Sequence, residues 1–134
     1  MYLVKTLCLA LFTALFFTSC EKGVAVSTDD LVQVKFINAT GKSIANGTIE
    51  GNYIIGYLED GAETGYINFK SFGTDTGMPD MPFTAEVGGS YRESNSKFYF
   101  CGTEKSKLLP GKYTIVISTV ELPIGEYMNL QFKH

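Results

Sequence analysis

The chain has 134 residues, 45% of them hydrophobic and 19% charged, with 11 Lys and Arg against 14 Asp and Glu for a net charge of −3. That length suits one domain with a real core, and the mild acidity excludes general nucleic-acid binding, which needs clustered cations to displace counterions. The one histidine, His134, is the last residue, so a Ser or Cys triad lacks an internal imidazole, and a four-ligand His/Cys zinc cluster would need all three cysteines beside it.

Residues 1–19 read as an export signal: a short polar start with one cation, Lys5, an apolar stretch over residues 7–17, then the small residues Thr18 and Ser19 before Cys20. The stretch is short of the roughly 20 apolar residues that span a bilayer. Phe17-Thr18-Ser19-Cys20 resembles the lipobox of bacterial lipoproteins, with Phe17 where leucine is usual. The resemblance implies that the precursor is cut before Cys20 and that the Cys20 thiol carries a diacylglyceryl group, tethering the protein to a membrane. Two or three acyl chains hold far more firmly than one, at about 0.8 kcal/mol per buried CH2. An ordinary secretory signal and an uncleaved anchor helix are the alternatives, and both leave the domain on the same side of the membrane. Residues 20–30 then form the lipidated cysteine and a small, polar tether, of which ten extended residues reach at most about 35 Å.

With Cys8 in the signal and Cys20 lipidated, Cys101 is left as a lone thiol, and the fold must rest on its core rather than on a disulfide. If Cys20 is not lipidated, a Cys20–Cys101 bridge becomes available.

From residue 31 to 134 period-two alternation dominates and no segment carries a helical period. Residues 31–38 place Val32, Val34 and Phe36 on one face of a strand. Residues 44–50 form a weaker strand interrupted by the hairpin signal Asn46-Gly47. Residues 53–58 and 64–72 flank Glu59-Asp60-Gly61-Ala62-Glu63 and read as a hairpin with Ile67 and Phe69 inward. Residues 73–82 read as an irregular loop because of their glycines and prolines, residues 83–87 as a strand, and residues 88–97 as a mobile polar connection. A short aromatic strand over residues 98–101 precedes Leu109-Pro110-Gly111, read as a type II turn feeding Tyr113 and the β-branched run 114–117. The last strand, 126–132, puts Met128, Leu130 and Phe132 inside.

The expected fold is all-β, an antiparallel two-sheet sandwich of about seven to eight strands. Pro110-Gly111-Lys112-Tyr113 followed by Ile117 resembles the hairpin start of transthyretin-like and carboxypeptidase-regulatory-like sandwiches. With its signal, the whole chain resembles the small lipoproteins of Bacteroidota, many of which carry immunoglobulin-like or transthyretin-like domains. That resemblance implies an outer-membrane, lipid-anchored protein on the periplasmic or the cell-surface face. Glu21-Lys22 behind the cysteine leaves the two faces comparable.

The candidate site residues are few. Cys101 before Gly102 reads as a buried small residue rather than a nucleophile. Asp75 and Asp80, with Glu86 nearby, are the oxygen ligands that a calcium ion would use, although their spacing follows no calcium-loop motif. Tyr53, Tyr57, Tyr66, Tyr91, Tyr99 and Tyr113 offer rings for stacking on a sugar or anchoring a protein. Tyr91, with Arg92 beside it in a polar stretch, is the least explained by packing, and this pair is the expected ligand-binding site. The resulting expectation is a non-enzymatic interaction module without a cofactor or a structural metal, its partner a protein or a glycan. The alternatives are a carbohydrate-binding accessory lipoprotein, a small hydrolase and a structural subunit of a cell-surface assembly.

Overall fold

The computed structural model describes residues 28–75, 77–98 and 105–134. The signal, Cys20 and most of the tether, as well as Tyr99 and Cys101, lie outside the described residues. In chain order the strands are β1 (Val32–Asn38), β2 (Ile44–Ile49), β3 (Asn52–Leu58), β4 (Ile67–Phe69), β5 (Gly73–Asp75), β6 (Met78–Pro79), β7 (Phe83–Val87), β8 (Ser90–Glu93), β9 (Ser106–Lys107), β10 (Gly111–Leu122) and β11 (Gly125–Phe132). Two short 3-10 turns, Thr28–Asp30 and Asn95–Phe98, complete the described elements.

The fold is all-β and mostly antiparallel. Its first sheet has the order β11-β10-β1-β4, its second β3-β2-β7-β8, and its small third β6-β5-β9. The expected seven to eight strands in two sheets therefore become eleven strands in three sheets among the described residues. The one long parallel pairing joins β1 to β10, from Val32 opposite Gly111 to Asn38 opposite Ile117. It ties the start of the domain to its penultimate strand, and β10 then turns through Pro123 and Ile124 into β11.

Alternation explains which side of each sheet is dry. Val32, Val34 and Phe36 of β1, Ile115 and Ile117 of β10, and Met128 and Leu130 of β11 are buried on one face of the first sheet. Ile44, Ile49, Ile55, Leu58, Phe83, Ala85 and Val87 are buried on one face of the second. All belong to one hydrophobic cluster. Phe36 of β1 stacks on Phe83 of β7 with ring centroids 6.2 Å apart. Each fully buried side chain of this kind contributes about 1.5–3 kcal/mol of burial.

Several local expectations are corrected. Residues 53–58 and 64–72 do not pair as a hairpin: β3 pairs with β2 in the second sheet, while β4 pairs with β1 in the first. The segment between them crosses from one sheet to the other. Asn46-Gly47 is not a hairpin turn but a bulge inside β2, since Ala45 opposes Glu86 and Thr48 opposes Thr84. The turn lies four residues later, at Glu50 and Gly51, with φ of 49° and 79°; positive φ at both central positions is the type I′ geometry that suits strand twist. Residues 73–82 hold β5 and β6, and residues 88–97 hold a Gly88-Gly89 turn, β8 and the start of a 3-10 turn that also takes Phe98 out of the expected aromatic strand. Gly111 has a positive φ of 155°, far from the +80° of a type II turn, and it opens β10 directly.

The crossing between sheets is fixed by Asn38, which is fully buried at the end of β1. Its Nδ2 donates to the Lys42 carbonyl (2.7 Å) and the Leu58 carbonyl (3.0 Å). Its Oδ1 accepts from the Thr40 N–H (3.0 Å) and hydroxyl (2.8 Å). Its backbone N–H donates to Ala62 O and its carbonyl accepts from Gly61 N–H. One carboxamide thus joins the turn after β1, the end of β3 and the crossing segment.

Candidate binding face on the second sheet

The solvent face of the second sheet follows from its registers. Tyr57 of β3 opposes Ala45 of β2, Ala45 opposes Glu86 of β7, and Glu86 opposes Tyr91 of β8. A second row runs Tyr53, Thr48, Thr84, Glu93 through the same strands. Because successive side chains alternate between faces, and Ile44, Ile49, Ala85 and Val87 point into the core, these two rows point out. Tyr53, Tyr57 and Tyr91 are 62%, 62% and 61% exposed. With neighbouring strands about 4.8 Å apart, Tyr57 and Tyr91 stand roughly 14 Å apart across the sheet.

The β2 bulge supplies the centre of this face. Asn46 takes a left-handed φ of 53°, and the extra residue re-aims its side chain outward. The Tyr53 hydroxyl donates to Asn46 Oδ1 (3.1 Å), and Asn46 Nδ2 donates to Glu86 Oε1 (3.1 Å). At the edge of the face the Tyr57 hydroxyl donates to Glu59 Oε1 (3.0 Å), and within the second row the Thr48 and Thr84 hydroxyls are 2.7 Å apart. Beneath the bulge, Gly47 faces inward: a Cβ there would lie 2.9 Å from Ile55 Cβ and 3.3 Å from a ring carbon of Phe83. The outward display of Asn46 thus depends on a residue without a side chain beside it.

Tyr91 and Arg92 occupy opposite sides of β8. Arg92 opposes the inward-facing Ala85, donates from Nη1 to the Tyr91 carbonyl (2.9 Å), and reaches Glu126 Oε2 of β11 from Nη2 (3.3 Å). It clamps the edge of the second sheet to the first. Both residues border the shallow groove between β8 and the β10–β11 turn, but only Tyr91 shares a face with other exposed tyrosines. Arg92 Nε is buried without a hydrogen-bond partner.

Asp75 and Asp80 come together at a small, partly open pocket of about 10 Å³ that Ser94, Asn95 and Ser96 also line. Lys105 Nζ sits 2.8 Å from Asp80 Oδ2. Its pKa is raised, first by the hydrogen bond to Asp80, partly offset by desolvation, with further support from the charges of Asp80 and Asp75. Glu86 belongs to the tyrosine face and not to this cluster. Among the described residues no three of His, Cys, Asp and Glu gather as a metal-binding group.

The remaining tyrosines have other surroundings. Tyr66 lies near two cations, with Lys35 Nζ 5.7 Å and Lys112 Nζ 5.2 Å from its ring centroid. The hydroxyl of Tyr113, which is half-buried, donates to the Leu109 carbonyl four residues upstream (3.1 Å), the geometry of a tyrosine corner. No family model, curated protein or solved structure matches the chain.

Alternation and turn chemistry named Tyr91 and the other tyrosines but did not group them. The grouping needed the order β3-β2-β7-β8, which joins residues 40 positions apart. Asn46 and Glu86 were missed as partners because Asn46-Gly47 carries the stronger signal of a turn.

Proposed function

We propose that this chain is a lipid-anchored, extracytoplasmic interaction module without catalytic activity, built on a β-sandwich of the immunoglobulin-like or transthyretin-like kind and binding through the solvent face of its second sheet. The observation that carries the reading is the trio Tyr53, Tyr57 and Tyr91, each more than half exposed on one sheet face and centred on a hydrogen-bonded Asn46–Glu86 pair. Free-standing tyrosines leave apolar ring surface in water, and ring surface on one plane is how a rigid scaffold makes a binding surface. The sandwich is supported by two four-stranded sheets whose buried faces share one cluster, by the parallel β1–β10 pairing, and by the Tyr113 corner. The anchor rests on the lipobox resemblance at Cys20.

A photo-reactive phenylalanine analogue at position 57, on this face, and at position 114, on the solvent face of the first sheet, tests the reading in whole cells. Adducts are expected from position 57 and not from 114; the reverse pattern refutes the binding face. A second reading, a structural subunit of a surface assembly, is favoured by β3 alone: it is a seven-residue edge strand without a charged residue, and such an edge accepts a partner strand.

A further inference from the structure

We infer that the tyrosine face binds an uncharged polysaccharide segment; this rests on the binding-face reading above and names its ligand. The first argument is what lies between the rings. Ala45, Thr48 and Thr84 separate the tyrosines across the sheet, and no Leu, Ile, Met or Arg side chain shares the two outward rows. Tyrosines also anchor protein partners, but they do so as a cluster packed into a desolvated centre, whereas the rings here stand apart with small and hydroxylated residues between them. Rings set apart by small and hydroxylated residues instead suit a ligand that alternates C–H surfaces with hydroxyls.

The second argument is hydrogen-bonding capacity. Asn46 and Glu86 hold one another at 3.1 Å and keep further acceptor sites, since a carboxylate offers about four lone-pair positions. A sugar hydroxyl donates to a carboxylate in a charge-assisted bond roughly twice as strong as a neutral one. The bridge to Asn46 also holds the Tyr53 ring in place before a ligand arrives, which lowers the ordering cost of binding.

The third argument is charge. The four strands of the second sheet carry Glu86 and Glu93 and one cation, Arg92, and Arg92 points to the other side to meet Glu126. The face is therefore acidic, and it repels uronate or sulfate groups. Its shape agrees: an open plane with rings roughly 14 Å apart fits an extended chain of several sugar units rather than a single small molecule.

Affinity electrophoresis of the soluble domain with a neutral β-glucan, a neutral mannan and a polyuronate is the test. Retardation by at least one neutral polymer and none by the polyuronate is expected, with Tyr53→Ala and Tyr91→Ala each weakening binding by about tenfold and Tyr91→Phe staying within about twofold, because stacking uses the ring. Unchanged thermal melting of these surface variants shows that the fold is intact. Failure of every neutral polymer, or preference for the polyuronate, overturns the ligand assignment while leaving the face to be judged by crosslinking from position 57. Glycan binding indifferent to Tyr53 and Tyr91 overturns the face itself.

Discussion

Asn38 is fully buried and uses both side-chain N–H donors and its carbonyl oxygen in four hydrogen bonds, so its value to the fold lies in what its loss would strand. Asn38→Leu takes this donor from the buried Leu58 carbonyl, at about 1–3 kcal/mol for a group that water cannot reach, while Thr40 and Lys42 lie nearer the surface and the Lys42 carbonyl still accepts from the Thr40 hydroxyl. A loss of about 1–3 kcal/mol is expected in urea unfolding, with Asn38→Asp also destabilised because it buries a charge and gives up both donors. Gly47→Ala should cost about 1–3 kcal/mol in the same assay, since its Cβ meets the packed Ile55 side chain at 2.9 Å. Glu50 points the other way. It holds a positive φ of 49° in an exposed turn, and Glu50→Gly should stabilise by several tenths of a kcal/mol through relief of that conformation; an unchanged or lower melting temperature would show the turn to be unstrained. None of these roles was visible in the sequence. Asn38 read as the first residue of an ordinary turn, and burial of its side chain depends on residues 42, 58 and 62 closing around it.

Strands whose alternation is set by one buried face were legible: residues 31–38 and 126–132 show the right side chains inward and 83–87 reads as the strand it is, because a slip of one residue would turn the apolar set to water. Pairing was less legible. β3 and β4 flank a turn-rich segment as a hairpin does, yet each has a longer partner elsewhere, and the crossing is decided by the buried Asn38 rather than by the turn residues. Short elements such as β5 and β6, which carry Gly73 and Pro79, fall below what periodicity can detect. At the start of β10, the pattern Pro110-Gly111-Lys112-Tyr113 marked a real corner but by another means than a type II turn: the Tyr113 hydroxyl bonds back to Leu109. Tyr113→Phe should therefore destabilise by about 1 kcal/mol while far-UV dichroism stays the same, and an equal stability would show the bond to be replaced by water.

The molecule has two unlike outer faces. The first sheet carries Lys35 and Lys112 outward beside Tyr66, whereas the second carries Glu86 and Glu93 among three tyrosines. Which face meets a partner is a property of the folded whole, since each draws on strands scattered along the chain; the sequence supplied the tyrosines, and the sheet order placed them. The lipobox resemblance adds a short tether of about 35 Å at most. Cys20→Ala should abolish acyl labelling and membrane fractionation, and continued labelling would contradict the anchor. The central claim, that the second sheet's solvent face is the occupied one, is tested most directly by tyrosine nitration read by mass spectrometry, comparing the purified domain with the protein in intact cell envelopes. Tyr53, Tyr57 and Tyr91 should react readily in the purified domain and be protected in the envelope, with Tyr66 reacting equally in both. Protection of Tyr66 with undiminished reaction of the other three would contradict the account.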